Sequence, residues 1–233
     1  MSGASHSGHR GRTAHNKPQR RKADLGQLAA LYEGLSGFNA DTKKLGVPGN
    51  YVTTYGEVTP EGIQALSALF LRHGGALGNF PTGQRTFYDL GCGNGKVVVG
   101  MVMLHPELQG RGYEIVTDRI DQARTAVGRL KQARLAVRLR FESTSFLEPS
   151  VGLQDACWIY MSNLCFDADT QKAVAEKLEA EARSGCVVIC SKELPLAAGS
   201  LWQRVASGET VPMSWSAVSS VHVYRRSASQ SSW

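Results

Sequence analysis

The most restrictive feature of the sequence is a short apolar segment that ends in an acid and continues directly into alternating glycines. Residues 87–96 have the sequence FYDLGCGNGK, which places Gly91, Gly93 and Gly95 at every second position. Glycine reaches positive φ angles without strain and leaves no Cβ between a ligand and the backbone. We therefore expect a β-strand, a ligand-binding turn and a helix, in that order.

The residues around this turn disfavour a phosphorylated coenzyme. The dinucleotide-binding pattern G-x-G-x-x-G needs a third glycine where Lys96 stands, and Asp89 would bring a like charge close to a phosphate. S-adenosylmethionine has no phosphate and carries a sulfonium and an α-ammonium group. Glu114 stands 25 residues after Asp89, at the end of the next predicted strand, where a carboxylate can accept both ribose hydroxyls. The sequence thus predicts S-adenosylmethionine as cofactor, S-adenosylhomocysteine as its product, and no metal.

Apolar, strand-like segments alternate with helical segments after residue 85. We expect helices at 95–104, 118–135 and 168–183, and strands at 86–90, 112–116, 137–141, 156–161 and 186–191. This alternation is typical of βαβ crossovers and of a parallel sheet covered on both faces. The predicted fold class is α/β, a Rossmann-like class I S-adenosylmethionine-dependent methyltransferase. Its mostly parallel seven-stranded sheet would end in an antiparallel hairpin over 210–226.

Composition divides the chain into three predicted parts. Residues 1–23 would form a disordered basic arm, residues 24–75 a small helical portion with a cofactor-covering loop, and residues 76–233 the Rossmann-like core. Apolar residues at helical spacing predict a short helix over 25–38. Thr59 and Pro60 have the residue types of an N-cap and a first helical position, so a second helix is expected through Arg72.

The positive charge of the chain is concentrated at its beginning. The sequence has 26 Lys and Arg against 20 Asp and Glu, and residues 1–22 alone carry a charge of +6 with no acid. We therefore expect a neutral globular body with a basic arm that reaches up to about 70 Å and contacts nucleic-acid phosphates. A nuclear localisation signal and a plain solvated terminus remain alternatives. The cations are Arg10, Arg12, Lys17, Arg20, Arg21 and Lys22.

The sequence also bears on location. No apolar segment approaches the roughly 18 to 20 residues that span a bilayer, and the beginning of the chain lacks the apolar core of a signal peptide. The five cysteines form no CxxC pair, which favours small buried residues in a reducing compartment. We expect a nuclear protein that has no membrane partner.

Six motifs then occur in a fixed order. They are Tyr55-Gly56-Glu57, Asp89 to Gly95, Tyr113-Glu114, Ser145-Phe146-Leu147, Ser162 to Phe166 and Ser191-Lys192. In order and spacing, over about residues 51–215, they resemble the disruptor-of-telomeric-silencing (Dot-one-type) family of non-SET histone-lysine N-methyltransferases. The resemblance implies methyl transfer to a lysine in the globular core of histone H3, with the nucleosome as partner.

The resemblance also implies a cofactor site. Tyr55 and Glu57 would belong to a loop that closes over the methionine end of the cofactor. Glu114 would hold the ribose, and Phe146 would stack near the adenine. The predicted cofactor-binding residues are Tyr55, Glu57, Asp89, Gly91, Cys92, Gly93, Asn94, Gly95, Lys96, Glu114, Ser145, Phe146 and Asn163.

The same resemblance implies the catalytic residues. Asn163, or Ser162 beside it, would lie where the methyl group meets the substrate amine, and these two with Tyr55 are the predicted catalytic residues. Phe166 and Trp215 would form walls of the lysine channel. No general base is expected, since an apolar channel itself lowers the pKa of a lysine amine.

The sequence departs from the family pattern at several positions. Val58 stands where the family has Thr, Lys96 where it has Gln, and Ser145 where it has an acid. Two alternatives stay open: a methyltransferase for another protein or small molecule, and a catalytically weak chromatin-binding module. The sequence lacks the tetrapeptide of nucleobase amino methyltransferases and the Pro-Cys of cytosine-ring enzymes, which argues against a nucleic-acid acceptor.

Overall fold

The computed structural model describes residues 25–47 and 53–228, so the predicted basic arm and its six cations lie outside the described residues. Seven strands form one sheet in the order β3-β2-β1-β4-β5-β7-β6. Strands β1 to β5 are parallel to one another, and β7 is antiparallel to both β5 and β6. The predicted fold class is confirmed. The strands are β1 Thr86–Leu90, β2 Gln109–Glu114, β3 Leu139–Ser143, β4 Ala156–Met161, β5 Val187–Cys190, β6 Trp202–Met213 and β7 Ser216–Arg226.

The helices cover the two faces of the sheet unequally. Phe87 and Tyr88 are successive residues of β1, so they face opposite sides. Phe87 belongs to a core with buried residues of α1, α2, α3 and α4, whereas Tyr88 belongs to a second core with α6. The helices are α1 Gly26–Leu31, α2 Pro60–Gly74, α3 Lys96–Leu104, α4 Thr117–Gly128, α5 Ala133–Ala136 and α6 Ala168–Glu181.

Helix α2 begins where the sequence predicted it. The Thr59 side chain accepts a hydrogen bond from the Gly62 amide, and Pro60 occupies the first helical position. In the first core, Phe70 stacks on Trp158 with 5.0 Å between ring centroids. Helix α2 therefore lies in the same core as α3 and the sheet. The domain boundary expected at residue 75 remains a prediction.

Several predicted element bounds were wrong. The first helix ends at Leu31 because Gly34 adopts a φ of 72°, and a short 3-10 turn, Gly37–Asn39, follows separately. The helix expected over 118–135 is divided into α4 and the short α5. The terminal hairpin is longer than expected because β6 already begins at Trp202. Of the five cysteines, Cys165 is exposed, contrary to the expectation that all are buried.

Parallel strands bring their carboxyl ends to one edge of the sheet, and here the ends of β1, β2 and β4 meet at that edge. The register pairs Asp89 with Gly112 on β2 and with Tyr160 on β4. Ligands of open α/β sheets bind outside this edge. No helix in the described residues is long and apolar enough to cross a membrane.

Candidate active site

The glycine turn after β1 forms because three alternating glycines adopt left-handed backbone angles. Gly91, Gly93 and Gly95 have φ angles of 88°, 54° and 76°. A Cβ at Gly93 would lie 2.4 Å from the Tyr55 ring, and one at Gly95 would lie 2.4 Å from the Phe141 ring. Gly93 thus lets the 53–58 segment approach the turn, whereas Gly95 lets the start of α3 pack on the sheet.

Two buried carboxylates stand at the strand ends beside the turn, in different environments. Glu114 accepts hydrogen bonds from the Gly93 amide at 3.1 Å and the Val116 amide at 2.9 Å. Asp89 is 2% exposed and lines a cavity, yet no group of residues 25–47 or 53–228 donates a hydrogen bond to its carboxylate. Burial, and then the nearby Glu114, raise the pKa of Asp89 well above its usual value. This acid lacks the cationic partner that its ionised form requires.

The carboxylate of Glu57 connects the 53–58 segment to the turn. It accepts hydrogen bonds from the Tyr55 hydroxyl at 2.9 Å and the Asn94 amide at 3.2 Å, and it forms an ion pair with Lys96. On the other side, the Glu57 carbonyl accepts a hydrogen bond from the Ser214 amide at 2.7 Å. The segment is therefore held between the glycine turn and the β6–β7 hairpin.

Arg119, which the sequence did not single out, anchors the same region from α4. Its side chain is 4% exposed and lies 3.7 Å from a Glu114 oxygen. It donates hydrogen bonds to the carbonyls of Gly37 at 3.3 Å and Thr53 at 2.8 Å. Its guanidinium also lies 4.4 Å from the centre of the Tyr55 ring. One cation thus links the second buried acid to two segments that precede the sheet.

A cavity of about 680 Å³ opens between these groups, a size typical of small-molecule sites. The predicted site residues Gly95 and Asn163 do not line it. Most predicted residues do: Tyr55, Glu57, Asp89, Gly91, Cys92, Gly93, Asn94, Lys96, Glu114, Ser145, Phe146, Ser162, Phe166 and Trp215.

One end of the cavity is aromatic and apolar. Phe146 and Phe166 stack with 5.4 Å between centroids. Trp215, in the turn between β6 and β7, is 47% exposed, and a Cβ at Gly56 would lie 2.1 Å from its ring. Leu164 is 39% exposed beside them. The cavity therefore has a polar end at the two acids and an apolar mouth.

The sequence matches the family model described as "Histone methylation protein DOT1" over residues 51–232. The chain belongs to this family. The match covers the glycine turn, both acids and the aromatic mouth, so the resemblance inferred from the motifs is confirmed.

Two solved structures are similar to this chain, and the first of them shows the same fold. TrmN from Thermus thermophilus has a TM-score of 0.54 and 17% sequence identity, with 72% of this chain and 49% of TrmN covered. The mitomycin 7-O-methyltransferase MmcR has a TM-score of 0.46 and 16% identity, with 71% and 56% covered. The chain thus spans about half the length of these two proteins. The comparison with curated proteins finds no match. At this identity TrmN shows the fold alone, and the family match is the finding that bears on activity.

Asn163 does not line the cavity, and its catalytic role stays a prediction. Asn163 is fully buried, and its amide donates hydrogen bonds to Gln171 at 2.8 Å and to the Lys192 carbonyl at 3.2 Å. Its side-chain oxygen accepts from the Lys192 amide at 2.8 Å. Orienting a substrate amine would require breaking these bonds. Asn163 fixes the end of β4 to the end of β5, whereas the other two predicted catalytic residues, Ser162 and Tyr55, line the cavity.

Several cavity residues were not predicted, and Tyr160 and Arg119 illustrate two different reasons. Tyr160 lines the cavity and pairs in register with Asp89, and strand alternation on β4 could have identified it. Arg119 lies on α4, and no local pattern in the sequence distinguishes it from Arg124, the other arginine of that helix. The described residues contain no group of three or more His, Cys, Asp or Glu placed to hold a metal.

Proposed function

We propose that this protein is a nuclear histone-lysine N-methyltransferase that transfers a methyl group from S-adenosylmethionine to a lysine in the globular core of histone H3 on nucleosomes. The observation that carries the proposal is the buried, unpartnered Asp89 carboxylate in a cavity whose other end is apolar. Such a cavity suits a cationic donor at one end and a long aliphatic amine at the other. The family match supports histone as the acceptor class.

The residues at the polar end fit the donor. An α-ammonium group would supply the cation that Asp89 lacks, and the remaining acceptor capacity of Glu114 suits ribose hydroxyls. Tyr55 and Glu57 lie over the glycine turn and restrict water there. When bound, S-adenosylmethionine supplies an electrophilic methyl group on its sulfonium.

The apolar mouth of the cavity would favour the neutral form of the acceptor amine. A lysine amine has a pKa of about 10.4 in water and must lose its proton before it attacks. Phe166, Leu164 and Trp215 would disfavour the ammonium form, and their aromatic faces would attract methylated ammonium products. These residues also restrict the amine to the line of attack, which is how positioning accelerates a displacement.

The basic arm completes the proposal. Residues 1–22 carry six cations and no acid, a charge that favours contact with DNA phosphates on a nucleosome. Deletion of these residues is expected to weaken nucleosome binding and to leave cofactor affinity unchanged.

Methyl transfer from radiolabelled S-adenosylmethionine to intact nucleosomes, free histone H3 and DNA tests the function. The Gly93→Arg variant puts a side chain into the space of the Tyr55 ring at a φ of 54°, so we expect loss of cofactor binding and of labelling. The matched control is Gly83→Arg, because a Cβ at Gly83 meets no atom within 4 Å.

Labelling of histone H3 in nucleosomes by the wild type and the control, but not by Gly93→Arg, supports the proposal. Labelling of another protein or a small molecule instead would assign a different acceptor. Cofactor binding without any labelled acceptor would favour a chromatin-binding module.

A further inference from the structure

The globular body is neutral in sum but strongly polarised. Residues 23–233 contain 20 cations and 20 acids, yet residues 122–141 contain six cations and no acid. Residues 142–181 carry the opposite excess, with eight acids and two cations. The body is therefore neutral in sum, as expected, but the structure separates the two excesses in space.

The positive segment occupies the β3 edge of the sheet. It runs from α4 through α5 into β3, which is the last strand on that side. Helix α4 starts after the carboxyl end of β2, and the chain then returns to the amino end of β3. Residues 129–138 therefore lie at the end of the sheet where the parallel strands begin, which is opposite the cavity. Acidic α6 packs instead on the other half of the sheet, in the core that contains β4 and β5 residues.

Two arginines face each other across the edge strands. Arg111 on β2 pairs in register with Arg140 on β3, so the two side chains share one face of the sheet. Like charges directly opposite each other destabilise a strand pair. The chain from β3 to β4 forms no helix, and that half of the face therefore carries no helical cover.

The cations at this edge are not neutralised by acids of the described residues. Arg111, Lys131, Arg134, Arg138 and Arg140 form no salt bridge with an acid of the described residues. Lys131, Arg134 and Arg140 are exposed, and the other two are partly exposed. We call these five residues the β3-edge basic surface. Glu142, which follows it, lies towards the carboxyl end of β3.

We propose that the β3-edge basic surface binds the phosphate backbone of duplex DNA. Lys131, Arg134 and Arg138 lie on the segment that leads through α5 into β3, whereas Arg140 and Arg111 lie on the two outermost strands of that side. Duplex DNA presents roughly one negative charge per 1.7 Å of axis. A continuous polyanion can therefore meet all five cations at once. The choice of DNA as the polyanion rests on the proposed function, which places the enzyme on nucleosomes.

The salt dependence of binding to a free 30-base-pair duplex tests this surface in the full chain. The variant Lys131→Gln/Arg134→Gln/Arg140→Gln removes three phosphate contacts, each worth about 0.9 in the slope of log K against log salt. We expect the slope to become less steep by about 2.7. Between 50 and 200 mM salt, the wild type would then lose about 40-fold more affinity than the variant.

The matched control is Arg72→Gln/Lys172→Gln/Arg204→Gln, which removes the same charge from exposed cations that have acid partners in Glu209, Glu176 and Glu193. Its slope should change by less than 1. Equal slopes for the two triple variants would overturn the proposal, because net charge alone would then explain binding.

Two further measurements keep the test decisive. Lys131→Glu alone, in the exposed loop between α4 and α5, should reduce the slope by about 1 even if the triple variant folds poorly. Tighter binding of the wild type to vesicles of phosphatidylcholine and phosphatidylserine (4:1) than to the duplex would contradict DNA as the ligand. The affinity for S-adenosylmethionine should be unchanged in every variant. A negative result for DNA binding therefore leaves the proposed methyl transfer intact, and a negative result for methyl transfer leaves the measured DNA binding intact.

Discussion

Replacing Arg119 by alanine should destabilise the protein and weaken its cofactor site together. The guanidinium is buried beside Glu114, bonds the carbonyls of Gly37 and Thr53, and lies over the Tyr55 ring. The variant would leave Glu114 without its cation and would free both carbonyls from their donor. No other described cation forms an ion pair with Glu114.

The expected loss follows from these contacts. Removing one partner of a buried ion pair costs about 3–5 kcal/mol. The lower value, about 3 kcal/mol, applies here because Glu114 keeps the Gly93 and Val116 amides as donors. For a chain of this length, 1 kcal/mol corresponds to a Tm change of about 2–4 °C. Arg119→Ala should therefore lower Tm by about 6–12 °C.

Thermal unfolding by circular dichroism and calorimetric titration with S-adenosylmethionine measure the two effects. Arg124→Ala is the matched control on the same helix. Arg124 is 54% exposed, pairs with the exposed Asp121 and donates a hydrogen bond to the Phe141 carbonyl at 3.0 Å, so its loss should cost about 1 kcal/mol. Arg119→Lys keeps the charge but cannot reach all partners at once, so its Tm should fall between the wild type and Arg119→Ala. A Tm for Arg119→Ala within 2 °C of the control would refute the reasoning.

Two predictions concern Asp89. Asp89→Asn should weaken S-adenosylmethionine binding by roughly 10- to 150-fold, as expected for loss of a charge-assisted hydrogen bond. The Tm at pH 7 should not fall, because the substitution removes a buried charge that has no partner. Unchanged affinity in calorimetric titration would rule out the ammonium contact. Because burial and Glu114 raise the pKa of Asp89, wild-type affinity should fall on acidification as the carboxyl takes up a proton, and binding at mildly acidic pH should release protons. Equal binding enthalpies in buffers of different ionisation enthalpy would contradict this.

The order of elements and the cofactor turn were predictable from the sequence. Strands β1 and β4 and the start of α2 lie where the apolar patterns and the Thr59 cap placed them. The exact bounds of the linking segments were less predictable. Val137, for example, has an apolar side chain but lies 66% exposed before β3 begins, since its helical backbone angles come from the preceding turn of α5.

The role of Asn163 could not be predicted in the same way. Its motif pointed to the reacting atoms, but its amide is bound by Gln171, eight residues later on α6, and by Lys192 at the end of β5. Those partners depend on where α6 packs, which no residue of the motif specifies. Ser162 follows β4 directly and Asn163 begins a short 3-10 turn, Asn163–Cys165, and of these two residues only Ser162 lines the cavity.

The amino-acid sequence by itself determined the βα turn, because positive φ angles at Gly91, Gly93 and Gly95 and the acid before them are local properties of consecutive residues. It also determined the family, since the motifs keep their order along the chain. Tertiary structure alone decided which charges are satisfied. Arg119 meets carbonyls 66 and 82 residues away. Asp89 and the cations of the β3-edge basic surface form no ion pair with any residue of 25–47 or 53–228, because pairing depends on distances that only the folded chain sets.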